Sequence, residues 1–305
     1  MKHLYFDNTR QLKLLQKALQ RLELSSPRHD FPAIHDPSVQ KKAGYEKIRH
    51  ASMQAISDGY QYVWIDTCCI DKSSSAELSE AINSMFTWYQ QASVCYAYVD
   101  DVQLHDFDKS RWFTRGWTLQ ELLAPSNVIF FVAGWTPLGT KFSLAAQITK
   151  ITGIDSEILH DQRWLRKRSV AQLMSWASRK ETTRPEDTAY CLLGIFGVNM
   201  PLLYGEGENA FIRLQEEIVK FADDQSLFAW SITSSEGREI FAESLKNYQN
   251  SSSIISIRRK TESAPYVMTN RGLQIELPLI ETPSHVLGLF DCQYDDEMST
   301  YIAVL

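Results

Sequence analysis

The sequence has no long apolar run, no excess of positive charge and few cysteines, and each absence excludes a class of protein. No stretch of the 305 residues approaches the roughly 20 apolar residues that span a membrane. The net charge is −6, so no overall field favours nucleic acid or an anionic membrane. The first residues lack the apolar segment of a signal peptide. These absences predict a soluble, cytoplasmic protein.

The residue types that bind metals and phosphates are not arranged for either task. The five cysteines include no pair with C-x-x-C spacing, and the seven histidines are scattered. The adjacent Cys68 and Cys69 suit a redox switch in principle, but small buried thiols are the more frequent structure. Gly205 and Gly207 lack the lysine and the spacing of a Walker phosphate loop. The sequence therefore predicts no metal site and no phosphate loop.

One strand-helix-strand unit organises the predicted fold. Tyr62–Ile65 is a short β-prone run, and Val94–Val99 is a second. Between them a capping-box pattern, Ser74 followed by Glu77, marks the start of a helix. The apolar stripe of this helix consists of Leu78, Ile82, Met85, Phe86 and Tyr89. Such units form parallel sheets with right-handed crossovers, so the predicted fold class is α/β with a parallel sheet.

Both predicted strands end on an aspartate. Asp66 and Asp71 follow the first strand, and Asp100 and Asp101 follow the second. Ligands of parallel sheets bind beyond the carboxyl ends of the strands, so these residues lie at the edge of a candidate site. Asp66 and Asp71 are suited to bind a ribose hydroxyl or a metal. The alternative is that they cap loop and helix amides.

The stretch 110–125 gathers aromatic and basic side chains around one carboxylate. Trp112, Arg115 and Trp117 precede Glu121 within a few residues. Trp117 and Glu121 are four residues apart, so on a predicted helix they share one face. The alternative to a functional role for Glu121 is a surface ion pair with a nearby arginine.

Three segments of different character follow one another along the chain. Residues 1–41 are predicted to be an arm, with a short amphipathic helix at 12–22 followed by prolines. Residues 42–230 are predicted to form the main domain. Residues 231–305 are rich in Ser and Thr with short β-prone runs, which predicts a small β-rich domain. Its last apolar run reaches the final residue, which predicts a truncated strand.

Four blocks in order resemble the motifs of the fungal heterokaryon-incompatibility (HET) domain. They are residues 64–72 (WIDTCCIDK), 110–122 (SRWFTRGWTLQEL), 182–196 (TTRPED, then YCLLGIF) and 201–207 (PLLYGEG). The resemblance covers roughly residues 42–230. The tail, with MTNRGL at 268–273, resembles the accessory domain that often follows HET domains in fungal proteins.

The resemblance implies a role in fungal non-self recognition and programmed cell-death signalling, a form of innate immunity. The implied partners are copies of the chain itself or other HET and death-signalling proteins. Family members usually begin with a strand and a Ser-His-Thr-Trp-Gly block, which residues 1–41 lack. The expected consequence is a missing or replaced first strand and an open sheet edge. A truncated, inactive regulator that pairs with full-length HET proteins is therefore an alternative function.

HET domains are in turn similar to Toll/interleukin-receptor (TIR) domains, some of which cleave NAD. Residues 117–122 (WTLQEL) resemble the Trp-Cys-x-x-Glu-Leu motif of that family, with threonine in place of cysteine. The resemblance implies a flavodoxin-like core with added helices, NAD as a substrate and Glu121 as the catalytic residue. The residues expected to bind the substrate are Asp66, Asp71, Asp100, Trp112, Arg115 and Trp117. A carboxylate in a water-poor pocket would stabilise the positive charge that develops as the ribosyl-nicotinamide bond breaks.

Overall fold

The computed structural model describes residues 2–6, 43–231, 240–257, 265–295 and 300–304. The chain forms two compact units. The first comprises Met1–Phe113 and Gln120–Gln162, and the second comprises Thr114–Leu119 and Arg163–Leu305. The helix predicted at 12–22 lies outside the described residues.

The first unit is a five-stranded sheet with helices. Its strands are β1 (Lys2–Phe6), β2 (Tyr62–Ile65), β3 (Val94–Val99), β4 (Val128–Val132) and β5 (Thr136–Thr140). Its helices are α1 (Ala43–Ser57), α2 (Asp66–Cys69), α3 (Ser75–Gln91), α5 (Ala145–Thr152) and α6 (Ser156–His160), and α4 (Thr118–Leu123) contains residues of both units. Short 3-10 helices occur at Leu104–Lys109 and Arg111–Thr114.

The second unit combines helices with short strands. Its helices are α7 (Val170–Ala177), α8 (Asp187–Tyr190), α9 (Leu193–Phe196) and α10 (Asn209–Phe221). Its strands are β6 (Ile254–Ser256), β7 (Val267–Thr269), β8 (Gly272–Gln274), β9 (Leu279–Glu281), β10 (Val286–Tyr294) and β11 (Tyr301–Val304). The remaining 3-10 helices are Gln162–Lys167, Gln225–Phe228 and Leu245–Tyr248.

The α/β class is confirmed, but the prediction of a parallel sheet is wrong. The strand order in the first unit is β2-β1-β3-β4-β5. Only the β3–β4 pair is parallel among the four pairings of these described strands. β2 and β3 run in the same direction, as the strand-helix-strand unit requires, but β1 lies between them and is antiparallel to both. The strand β1, which precedes the strand-helix-strand unit in the sequence, therefore lies between the two strands of that unit.

A strand is present near the N-terminus, so the expectation of a missing first strand is wrong, and the alternative that the usual strand is replaced stays a prediction. Leu4 of β1 lies opposite Trp64 on β2 and opposite Cys95 on β3. Both sides of β1 are paired, so β1 is an interior strand and β2 and β5 are the end strands of the sheet. The regulator that pairs with full-length HET proteins stays an alternative.

The two faces of this sheet pack against different elements. On one face Val63, Ile65 and Tyr96 join a buried cluster with Ala51 and Ala55 of α1. The two alanines are fully buried, whereas the larger Met53 and Ile56 of α1 are more than half exposed. Because side chains alternate along a strand, Trp64 and Cys95 point to the opposite face.

The β-rich C-terminal region predicted from the sequence is present in the second unit. The strand β10 pairs in antiparallel fashion with β6, β9 and β11. Hydrogen bonds join this region to helical residues, since Ser169 Oγ donates to the Ile254 carbonyl (2.6 Å) and Asp291 N donates to Gln225 Oε1 (2.8 Å). In the part of the chain that the structure describes, no helix is long and apolar enough to cross a membrane.

Candidate functional site

Glu121 lies on α4, a helix of six residues whose members are all buried. The Glu121 residue is only 2% exposed. A helix this short is not stable by itself, so tertiary contacts must hold it in place. Burial of the carboxylate removes the alternative of a solvent-exposed helix-face residue. Its catalytic role stays a prediction.

Lys141 holds the C-terminal end of α4. Its side-chain Nζ donates hydrogen bonds to the carbonyl oxygens of Leu122 (3.2 Å) and Pro125 (2.5 Å). Lys141 is 3% exposed, and this burial lowers the pKa of its ammonium group to about 8. A buried cation thus satisfies carbonyl groups that a helix end leaves without intrahelical partners.

Tyr89 belongs to α3 and packs against Trp64 of β2. The Tyr89 side chain is fully buried, and its ring packs edge-on against Trp64 at 6.2 Å between ring centroids. Burial raises the pKa of the Tyr89 phenol well above its ordinary value, and the charges of Glu121, Cys95 and Asp66 raise it further. The charges of Glu121 and Asp66, which were predicted from separate blocks, thus both act on this phenol.

Asp66 is the first residue of α2 and directly follows β2. The residue is half-buried, and its Oδ1 atom is enclosed without a hydrogen-bond partner among the described residues. The indole Nε1 of Trp64 is likewise enclosed without a partner in the described ranges. Buried polar atoms of this kind are uncommon, because leaving a donor or acceptor unsatisfied costs about 1–3 kcal/mol.

Asp71 and Asp100 have other partners. Asp71 Oδ1 accepts hydrogen bonds from the amide (2.9 Å) and the hydroxyl (2.6 Å) of Ser73, which is the capping role given as the alternative. Asp100 forms an ion pair with Lys47 of α1. Ile65, the last residue of β2, and Tyr96 both lie opposite His3, so β3 continues for three residues beyond the end of β2. The two strands therefore do not end at one edge.

Asp101 was placed at the site edge, but it serves as a structural acceptor. Its Oδ1 accepts from Ser110 Oγ (2.7 Å), and its Oδ2 accepts from the backbone N of Arg111 (2.8 Å). Burial opposes ionisation of Asp101, yet these hydrogen bonds together hold its pKa below the usual range. Asp101 thus fixes the beginning of the second block.

The aromatic and basic candidates of the second block fall in different places. Trp112 is buried in the first unit, with its ring edge-on to Phe130 at 5.4 Å. Arg115 and Trp117 belong to the second unit. The Arg115 side chain is exposed, and its backbone forms a parallel β-bridge with Glu181. Trp117 precedes the first residue of α4, so the predicted shared helix face with Glu121 does not exist.

The third and fourth blocks clamp each other within the second unit. Glu186 Oε1 accepts hydrogen bonds from the amides of Gly205 (2.7 Å) and Gly207 (3.1 Å). These bonds lower the pKa of Glu186. Gly205 has a φ of +109°, a conformation that favours glycine, so the turn and the carboxylate require each other. The Arg184 guanidinium stacks 4.6 Å above the Tyr204 ring.

A second group of contacts joins the same two blocks. Tyr190 Oη donates to Glu206 Oε1 (2.8 Å) and accepts from Leu203 N (2.8 Å). Burial and the contact with Glu206 raise the pKa of Tyr190 to about 12, so the phenol stays protonated at neutral pH. Arg213 of α10 forms an ion pair with Glu206. The blocks recognised from the sequence are thus the two halves of one network.

Comparison with known proteins finds relatives of this chain. The model of the heterokaryon incompatibility protein (HET) family matches residues 16–109. The vegetative incompatibility protein HET-E-1 of Podospora anserina is 46% identical over 216 residues, which is 67% of this chain. The chain belongs to the HET family. The resemblance drawn from the four blocks is confirmed.

The match to HET-E-1 covers a small part of that protein's length. The chain spans 16% of the length of HET-E-1. A second family model, a domain of unknown function (DUF8212), matches residues 209–237, which begin at α10. No solved structure gave a significant match.

The second unit contains a cleft of about 420 Å³. Its walls consist of Glu181, Thr182, Thr183, Pro185, Thr188, Glu208, Phe211, Glu243, Ser244 and Leu245. Because carboxylates and hydroxyls dominate, the cleft disfavours the phosphates of a dinucleotide. Over the described ranges, no group of three or more His, Cys, Asp or Glu side chains is placed to hold a metal ion.

Sequence reasoning missed two residues that shape the surroundings of Glu121 in this HET domain. Tyr89 was identified only as part of an apolar stripe, and Lys141 only as a position in a helix. The signal for Lys141 was a lysine between two buried segments, but its carbonyl partners lie 16 and 19 residues earlier in the chain. Contacts between residues this far apart become visible only in the tertiary structure.

Proposed function

We propose that this chain acts in fungal non-self recognition, as a HET-domain protein that initiates programmed cell death. The observation that carries the proposal is the 46% identity to a vegetative incompatibility protein over 67% of the chain. The clamp between the third and fourth blocks supports it, because residues shared with the family serve one interlocked structure. We place this activity in the cytoplasm, since all five cysteines are free thiols, as a reducing compartment favours.

Controlled expression in a filamentous fungus tests the proposal. We expect that inducing the chain kills cells, measured as the fraction that take up a vital dye. The variant Glu186→Ala removes the acceptor of Gly205 N and Gly207 N and should abolish killing, whereas Glu208→Ala, an exposed glutamate nearby, should not. Full viability with abundant, folded wild-type protein would contradict the proposed role.

Cleavage of NAD by a TIR-like mechanism is a second candidate function, and the burial of Glu121 favours it. A carboxylate that is 2% exposed acts in surroundings of low dielectric constant, where its charge stabilises an oxocarbenium-like transition state more strongly than in water. The W-x-x-x-E-L pattern of residues 117–122 supports the same assignment. In this proposal the core of the first unit is related to TIR domains, although its sheet is mixed.

Incubation of the purified chain with NAD tests this second function. We expect nicotinamide release by the wild type and a loss of roughly 100-fold or more in Glu121→Gln, which removes the negative charge. The matched control is Glu80→Gln, because Glu80 is an exposed glutamate on α3. Unchanged nicotinamide release in Glu121→Gln would remove Glu121 from the mechanism.

Self-association without chemistry is the competing mechanism for the same cell-death role, with copies of the chain or other HET and death-signalling proteins as partners. It predicts that the Glu121→Gln variant still kills cells and that mass measured by light scattering rises with protein concentration. A protein that stays monomeric at high concentration would count against self-association.

A further inference from the structure

A short basic segment of the second unit carries charge opposite to that of the rest of the chain. Residues 163–168 (RWLRKR) contain four cations and no acid, whereas the whole chain has a net charge of −6. The chain outside this segment therefore carries a net charge of −10. Arg163, Arg166 and Lys167 are exposed, so three of the four cations face solvent. The segment is a local positive surface on an acidic protein.

The most exposed tryptophan of the protein lies within the same segment. All eight tryptophans belong to the described residues, and Trp164 alone is exposed, by 39%. A single exposed apolar side chain needs no explanation by itself. An indole among cations, however, is the combination of side chains that proteins place at the boundary between a membrane and water.

The 3-10 helix Gln162–Lys167 arranges these side chains in rows. Its three residues per turn place side chains i and i+3 one above the other. Arg163 and Arg166 form one row, and Trp164 and Lys167 form the next. The Lys167 Nζ atom lies 4.1 Å from the centroid of the Trp164 ring, which agrees with this arrangement. The third row contains the buried Leu165, so the other two rows face away from the protein.

We propose that Arg163, Trp164, Arg166 and Lys167, here called the basic surface, bind the headgroups of an anionic phospholipid membrane. The cations attract the phosphate and carboxylate groups of a lipid such as phosphatidylserine. The indole enters the layer between headgroups and acyl chains, which suits its apolar ring and polar N–H. The inference depends neither on NAD cleavage nor on self-association.

The position of Lys167 disfavours a nucleic acid as the partner. Single-stranded nucleic acids bind where bases stack on aromatic rings along a positively charged groove. Here the Lys167 ammonium group lies over the Trp164 ring, and the cleft of this unit is lined by carboxylates. A flat array of lipid headgroups requires neither a free ring face nor a basic groove.

Sedimentation with lipid vesicles tests the basic surface. We expect the chain to bind vesicles of phosphatidylcholine and phosphatidylserine in a ratio of about two to one, and not phosphatidylcholine alone. Each cation near an anionic surface strengthens binding roughly five-fold. The triple variant Arg163→Gln/Arg166→Gln/Lys167→Gln should therefore lower the partition coefficient roughly 100-fold. Trp164→Ala should lower it roughly 10-fold and keep the requirement for phosphatidylserine.

The matched control removes three exposed lysines from other parts of the chain. The variant Lys72→Gln/Lys150→Gln/Lys246→Gln has the same net charge as the triple variant of the basic surface and should bind like the wild type. Equal binding to the two kinds of vesicle, or equal loss in the two triple variants, would overturn the proposal. Arg166→Gln alone, with an expected loss of roughly five-fold, decides the question if the triple variant does not fold.

Two further probes distinguish the membrane from other anionic partners. Tighter binding to a single-stranded oligonucleotide than to the vesicles would assign the basic surface to nucleic acid. Release of vesicle-bound chain by soluble glycerophosphoserine, at the same concentration of headgroups, would assign it to a free anion. Either result would overturn membrane binding. We expect the vesicles to be preferred to the oligonucleotide and the soluble headgroup to release nothing.

Discussion

The ammonium group of Lys141 lies 3.2 Å from the carbonyl oxygen of Leu122, the residue that follows Glu121. The same group also bonds to the Pro125 carbonyl, and the side chain is 3% exposed. A charge this deeply buried is expensive unless it is hydrogen-bonded, and here its partners are backbone carbonyls at the end of α4. The position of Glu121 therefore depends on a lysine from beyond β5.

Lys141 makes stability depend on pH in a defined window. Burial lowers its pKa from 10.5 to about 8, so between these values the unfolded chain binds more protons than the folded one. Stability contributed by this group therefore rises with pH across the window and is lost as pH falls to 8. One pKa unit corresponds to about 1.4 kcal/mol, so the full effect is about 3 kcal/mol.

Urea unfolding of wild type and Lys141→Met at pH 7.5, 8.5 and 9.5 measures this effect. We expect the difference in unfolding free energy, wild type minus variant, to rise with pH. The raised tyrosine pKa values act on both proteins and cancel in the difference. Lys150→Met, at an exposed lysine of α5, should give a difference that does not vary with pH. A flat difference for Lys141→Met would refute the burial of a charged lysine.

The central place of β1 predicts sensitivity to proline at Leu4. Both sides of this strand are hydrogen-bonded to neighbours, so Leu4→Pro removes a ladder hydrogen bond where no edge is available. We expect a loss of about 3 kcal/mol or more in unfolding free energy, measured by denaturant titration. Leu4→Val keeps a strand-forming residue and serves as the control. Equal stability of the proline and valine variants would show that β1 is not a central strand.

The clamp at Glu186 predicts acid-sensitive stability. Its lowered pKa means that it contributes stability above its unfolded pKa of 4.5, and that this contribution is lost as pH falls through the folded value. Glu186→Ala should cost about 2 kcal/mol at pH 7, because two partly buried amides lose a charged acceptor. Thermal unfolding of the wild type and the variant at pH 7 and pH 4 measures the cost of the substitution and the loss of stability with acid. If the variant and the wild type lose the same stability between these pH values, Glu186 is not the acid-sensitive group.

Gly116 of the second block lies so close to the third block that a larger side chain would collide with it. A Cβ atom at this position would lie 2.6 Å from Thr182 Cγ2 and 3.1 Å from Cys191 Sγ. We expect Gly116→Ala to lower stability by about 1–3 kcal/mol, as overpacking does. Thr182→Ser removes the colliding methyl group but keeps the hydroxyl that donates to Arg184 O. The double variant should recover part of the loss, and a purely additive double variant would exclude this contact as the cause.

Local patterns in the sequence predicted local structure well. Ser74 accepts a hydrogen bond from Glu77 N at the start of α3, as its spacing predicts. The Glu77 side chain does not complete the predicted box, because it accepts from Asp71 N six residues earlier. Gly153 ends α5 in the left-handed conformation, with a φ of +73°. Each of these features depends on residues within one or two helical turns, which the sequence displays directly.

Contacts between distant residues were not predicted. β1 is five residues long and pairs with strands that begin about 60 and 90 residues later, so nothing in its own neighbourhood indicates its partners. The parallel sheet was inferred from a strand-helix-strand unit, which fixes the relative direction of β2 and β3 but not their adjacency. The same limit applies to α4, because Lys141, which bonds to the carbonyls at its end, lies 16 and 19 residues further along the chain.

The amino-acid sequence by itself determined the family, the order of its four blocks and the helices and strands with strong local patterns, because those signals lie in consecutive residues. Only the tertiary structure decided that β1 separates β2 from β3, that Asp71 and Asp100 pair elsewhere, and that Glu121 is buried. The physical reason is that strand pairing and burial are settled by the packing of the whole unit, in which segments far apart along the chain compete for the same neighbours.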